Sequence, residues 1–261
     1  MALYPLASGP RLPALLLLSA LLALIVLPAA CGRARAGCIP ADLAVAIDAG
    51  HGPKASGAVS ASGLPEYQFN FRLAEQVRDA LVAAGFAKAF LLDPAGSDLP
   101  PAARAGRANA AHAALLISIH HDAAQPQFFE CETVDGTTRR FCDRFAGYSI
   151  FYSERNRQAG ESLALARLIG RQLRREGLPF TRHHAADIPG ERRLLVDDQA
   201  GVYRYDGLAV LHAATMPAVL LEAGVIVNRA EEKELAGLAR QTQTARAIAR
   251  AVVNWCAGLR P

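Results

Sequence analysis

Three short apolar runs, each followed at once or within a few residues by a histidine or an acid, constrain this chain more than any other feature. Ala44-Val45-Ala46-Ile47-Asp48 precedes His51, Leu115-Leu116-Ile117-Ser118-Ile119 precedes His120, and Pro217-Ala218-Val219-Leu220-Leu221 precedes Glu222. Runs of this length read as buried strands. Segments of helical period separate them. Leu73, Val77 and Leu81 recur at four-residue spacing behind Pro65, and Gly85 stands where a helix would stop. Pro101 to His112 reads as a second helix, and Leu163 to Glu176 as a third with Leu165, Leu168, Ile169 and Leu173 on one face. Leu208 to Ala214 reads as a short helix. Asn228, with Glu231 three residues on, caps a last helix expected to run to about Trp255. Phe90-Leu91-Leu92 and Tyr148 to Tyr152 supply two more strands. Strands alternating with helices predict an α/β fold: a mostly parallel central sheet with helices on both faces, in a single catalytic domain.

The first 36 residues are expected to be a leader. Arg11 precedes an almost wholly apolar stretch from Ala14 to Leu27, and Ala34-Arg35-Ala36 offers a cleavage site before Gly37. Two alternatives stay open: lipidation at Cys31 after Pro28-Ala29-Ala30, or an uncleaved anchor, for which the apolar run is short. All three place residues 37–261 outside the cytoplasm, in a periplasmic setting. The formal charge of +4 falls to +1 once Arg11, Arg33 and Arg35 are set aside, since no acid lies before Gly37. That is no electrostatic footprint for nucleic acid. A hydrophobic fraction of 52% argues equally against disorder.

Four cysteines remain beyond the leader, Cys38, Cys131, Cys142 and Cys256, with no zinc-finger spacing among them. An even number in an exported chain suggests disulfides, in any of three connectivities. The simplest joins Cys131 to Cys142 across a local loop and Cys38 to Cys256 at the two ends of the body. The periodic pattern fails over about 123–147 and again over 183–199, and both segments are expected to be irregular insertions.

Familiar sites are missing: no phosphate-binding G-x-x-x-x-G-K-[ST], no G-x-S-x-G elbow, no H-E-x-x-H. What remains is His51, His120 and Glu222 at the carboxyl ends of three strands, where open α/β sheets build their sites. Glu66, at the start of the helix after His51, can fold back over the same edge. Two imidazoles and one carboxylate suit a catalytic zinc with one position left for water, and a second carboxylate is free to act as base.

In these stretches the chain resembles the zinc-dependent N-acetylmuramoyl-L-alanine amidases of the amidase 3 family of cell-wall hydrolases. The matching residues are Ile47-Asp48-Ala49-Gly50-His51-Gly52, Gly63 with Glu66, Arg104 with Ala108-Asn109, Ser118-Ile119-His120, Pro217 to Gly224, and Asn228. They occur in the family's order and span residues 44–256. Pro53-Lys54 and His121 depart from its usual pattern. The resemblance implies that His51, Glu66 and His120 bind Zn2+, that Glu222 is the catalytic carboxylate, and that the substrate is peptidoglycan. The bond implied is the amide between N-acetylmuramic acid and the L-alanine of the stem peptide, cut by a zinc-activated water. A zinc amidase acting on another N-acyl or peptide substrate, and an inactive wall-binding or regulatory protein, are the alternatives. A monomer is the expected state, with a protein activator left open as a partner.

The remaining histidines read differently. Strand alternation sends His121 to the face opposite His120. His112 and His212 fall in helical stretches and read as structural, His183 and His184 as exposed loop residues, with substrate contact as the alternative. Arg104 and Asn109 read as packing or capping groups. The 123–147 segment is expected to be a fixed wall of the substrate groove rather than a removable plug, with Glu130 and Glu132 the residues that could reach the metal instead.

Overall fold

The computed structural model describes residue 1 and residues 38–258; the expected leader, its cleavage site and Cys31 lie outside the described residues. In chain order the elements are β1 (Val45–Ala49), α1 (Glu66–Ala83), β2 (Ala89–Leu91), α2 (Pro101–Ala110), β3 (Leu115–Asp122), β4 (Glu130–Val134), β5 (Thr137–Phe141), β6 (Ser149–Tyr152), α3 (Ala159–Arg175), β7 (Leu194–Asp197), β8 (Val202–Arg204), α4 (Ala209–Ala213), β9 (Ala218–Val225), α5 (Arg229–Ala236) and α6 (Leu238–Cys256). Seven strands form one sheet in the order β2-β1-β3-β9-β6-β8-β7. Four of its pairings are parallel; β6–β9 and β7–β8 are antiparallel.

Side-chain alternation divides the core between the two faces. Val45, Ile47, Ile117, Ile119, Val219 and Leu221 pack with apolar residues of α1, α3 and α6. Their neighbours Ala46, Leu116, Ala218 and Leu220 pack on the other face with Ala105 and Ala108 of α2 and with Val210 and Leu211 of α4. Burial on both faces explains why these strands read as continuous apolar runs. Among the described residues no helix is long and apolar enough to cross a membrane.

Three sequence expectations need correction. The 123–147 segment is not irregular: a 3-10 turn at Pro126–Phe128 leads into the antiparallel hairpin β4–β5. Most of the hairpin's residues are exposed, so no hydrophobic alternation marks it. Its turn is nevertheless written in the sequence as Asp135-Gly136, both at positive φ (51° and 75°), the signature of a two-residue hairpin. The 183–199 segment likewise holds a 3-10 turn, His183–Ala185, and the edge strand β7. The last helix is two helices, because Gly237 takes an extended conformation (ψ 137°) between α5 and α6.

The cysteines give a fourth correction. Cys38 and Cys256 are joined as expected, but Cys131 and Cys142 are both free. Cys131 pairs across the hairpin with Arg140, while Cys142 lies one residue past β5. There its N–H donates to Val227 O and its side chain is buried with Val225 and Val227.

Candidate active site

The carboxyl ends of β1 and β3, with the first turn of α1, bring three expected residues together. His51 Nε2 lies 3.2 Å from Glu66 Oε2, and His120 Nδ1 lies 3.1 Å from Glu66 Oε1. One ligand atom from each of the three falls within 4.8 Å of the other two.

Each residue is held from behind. His51 follows β1 in the left-handed region (φ 67°), uncommon for a residue other than glycine. Arg104 of α2 secures that turn, donating to the carbonyls of Ala49 and His51 and, at 2.9 Å, to the buried Asp48 carboxylate. Ser118 Oγ donates to the other Asp48 oxygen at 2.7 Å. Arg104 is thus a positioning group for His51. Asn109 is confined to tying α2 to the segment before β9, through Ala213 O and Thr215.

Glu66 is buried and fully engaged. Asn70, one helical turn on, donates to its Oε1 at 2.9 Å and to Gly50 O at 3.1 Å. Ala58 N–H donates to its Oε2 at 3.0 Å. Burial alone would raise the Glu66 pKa, but the hydrogen bonds from His120 and His51 outweigh it and hold the carboxyl well below its usual range. The bond to Glu66 raises the His51 pKa in turn. Gly50 and Gly57 let the backbone close over the group: a Cβ on Gly50 would run into the His120 ring, and one on Gly57 into Glu66 and His51.

His121 faces away, as alternation requires. It is buried beside Phe69 and donates from Nδ1 to Asn70 Oδ1 at 2.8 Å, and burial pushes its pKa down to about 3. It thereby steadies Asn70, a contributor that sequence reading missed although its spacing from Glu66 was a signal.

Glu222, on β9, is the register partner of His120. Its Oε2 is buried with no hydrogen-bond partner. Burial, then the neighbouring charges of Asp122 and Glu66, push its pKa well above the carboxylate range. A cavity of about 410 Å³ is lined by His51, His120, Asp98 and Leu220, and another of about 210 Å³ by Glu222, Leu220 and His184. A cavity of about 1340 Å³ forms a groove along α5 and α6 that none of His51, Glu66, His120 and Glu222 lines. Neither Glu130 nor Glu132 joins the cluster at Glu66; Glu132 is paired with Arg229 at 2.8 Å.

His183 and His184 are buried, not exposed, and close on Asp122 as a second cluster. Sequence reading missed it because its members lie far apart in the chain.

With this geometry in place, comparison with known proteins decides the family. Residues 45–254 match the Amidase_3 family, described as N-acetylmuramoyl-L-alanine amidase. The chain belongs to that family. As an Amidase_3 member it is a hydrolase. It is 27% identical over 211 residues to the N-acetylmuramoyl-L-alanine amidase Rv3717 of Mycobacterium tuberculosis, covering 78% of this chain and 74% of the relative. It is also 27% identical over 237 residues to the amidase AmiC of Neisseria meningitidis, covering 86% of this chain but only 54% of that longer protein. The catalytic domain of the amidase CwlV from Bacillus (Paenibacillus) polymyxa superposes with a TM-score of 0.61 at 26% identity, over 82% of this chain and 97% of that domain. The matched span in this amidase contains His51, Glu66, His120 and Glu222.

Proposed function

We propose that the chain is a zinc-dependent peptidoglycan hydrolase cutting the amide between N-acetylmuramic acid and L-alanine of the stem peptide, with Glu222 as its acid–base residue. The observation that carries this reading is the cluster of His51, Glu66 and His120 beside a half-buried Glu222 whose Oε2 is buried without a hydrogen-bond partner. The residues fit zinc. Two imidazole nitrogens and a carboxylate are the donors it prefers, and they converge at an edge the backbone closes over through glycine. Zinc held there supplies Lewis acidity, easing deprotonation of water and polarising a carbonyl oxygen.

This chain's residues supply the rest. Glu222 accepts the proton of the attacking water and delivers it to the departing amine of L-alanine. Asn70 and Arg104 fix Glu66 and the His51 turn, so the ligand set is preorganised.

The hairpin β4–β5 forms a fixed wall. Arg229 ties it down through Asp143 and Glu132 and lies over the Phe141 ring at 3.6 Å, while Asn228 Nδ2 donates to the carbonyls of Asp143 and Phe145. The Cys38–Cys256 bridge supports an exported location, since such bonds persist in oxidising compartments. The test is a zymogram on purified cell wall with and without chelator. Clearing that disappears with chelator and returns with zinc is expected; no clearing by zinc-replete protein would favour an inactive wall-binding protein.

A further inference from the structure

Away from the His51–Glu66–His120 group, three ligand-type side chains close on one point. Asp122 ends β3, and His183 and His184 stand in the 3-10 turn His183–Ala185. Nε2 of His184 lies 2.8 Å, and Nε2 of His183 3.2 Å, from the same atom, Asp122 Oδ2. All three atoms are buried, and they meet as ion-pair contacts that are poorly aligned for hydrogen bonding. We propose that Asp122, His183 and His184 form a second divalent-cation site, of the zinc class, distinct from the centre at Glu66.

Both imidazoles lie against one oxygen of Asp122 without a well-aligned hydrogen bond to it, while the other oxygen, Oδ1, accepts from the Ala123 N–H at 2.8 Å. The outward nitrogens are committed in the manner of metal-binding imidazoles. His183 Nδ1 meets Thr181 Oγ1 at 2.7 Å, and His184 Nδ1 meets Glu191 Oε2 at 3.0 Å. Gln125 holds that carboxylate in turn, donating from Nε2 to Glu191 Oε1 at 2.8 Å. Orientation from behind leaves both Nε2 atoms aimed at a common centre with a carboxylate oxygen, a donor set that suits zinc among the common divalent cations.

The site has room for a further ligand. Asp122, His184, Glu191 and Glu222 all line the cavity of about 210 Å³. Glu222 therefore borders both centres, as register partner of His120 and as a wall of this cavity. A cation here fastens the 181–193 segment to the end of β3 and keeps one coordination position open towards water or a substrate oxygen. The inference does not depend on the identity of the substrate.

The test counts metal on the full chain. Protein stripped with chelator is titrated with zinc, freed of excess by gel filtration, and analysed for zinc per chain. Two are expected for the wild type, one for His120→Ala, one for His184→Gln and none for the double variant. Asp122→Asn, nearly isosteric, should match His184→Gln and serves if that variant fails to fold. Wild type saturating at one, with none left in His120→Ala, would overturn the second site and leave the first standing. One in His120→Ala with none in His184→Gln would instead sink the assignment of the first. Zinc-edge anomalous scattering from saturated crystals should place a peak among Asp122 Oδ2 and the two Nε2 atoms; its absence at full saturation also overturns the proposal.

Discussion

His120 and Glu222 are register partners on the adjacent parallel strands β3 and β9. Partners in such a ladder project to the same face, so a ligand-type imidazole and a carboxylate with one buried, unpartnered oxygen emerge side by side from rigid elements. Glu222→Gln keeps the shape and removes the base. It should retain the fold and bound zinc and lose about 10²–10⁴-fold in turnover. Near-normal turnover by the variant would move the base elsewhere.

Arg104 supports the opposite side of the cluster. Arg104→Ala leaves the buried Asp48 carboxylate with Ser118 alone and frees the His51 turn. Removing one partner of so buried a pair should cost about 3–5 kcal/mol, read by urea unfolding. Arg104→Lys cannot bridge Asp48, Ala49 and His51 together and should recover only part of the loss. Wild-type stability in both would remove Arg104 from the account.

Gly50 tests the fit of the backbone to His120. Gly50→Ala forces a methyl against the imidazole ring in a strand end that otherwise tolerates alanine. The secondary structure should survive by circular dichroism while zinc affinity and turnover fall together. A variant that binds zinc as tightly as wild type would show that His120 is not held as described.

The cysteine pattern separates two roles. Cys38→Ser or Cys256→Ser opens a bridge closing nearly the whole body and should lower stability by about 2–5 kcal/mol. Alkylation without reductant should label exposed Cys131 in the native protein and buried Cys142 only after unfolding. Recovery of a peptide joining Cys131 to Cys142 would contradict the hairpin register.

How much of this was legible in the sequence follows from the physics of each part. Buried strands announce themselves because both faces need apolar residues, and polar groups at their ends stand out against that background; hence His51, His120 and Glu222. The break at Gly237 and the Asp135-Gly136 turn were also visible, but nothing in hydrophobic period points to them. Cys131 and Cys142 misled because sequence proximity says nothing of hairpin register, which sets Cys131 opposite Arg140. His183 and His184 carry no periodic signal, and their partner Asp122 is brought to them only by the tertiary fold.

The hairpin's role can be read from activity. Shortening β4–β5 to a tight turn between Phe129 and Cys142, leaving the Phe128–Phe145 contact intact, should leave hydrolysis unchanged or lower it. A large rise would establish that the hairpin inhibits.

The central claim is the bond cut. Purified peptidoglycan digested by the zinc-replete chain should yield new amino-terminal L-alanine and intact glycan strands with free lactyl carboxyl groups, as read by mass spectrometry. Those products should be absent with chelator and nearly absent with Glu222→Gln. New reducing sugar ends, or cleavage within the stem peptide with the lactyl amide intact, would contradict the account.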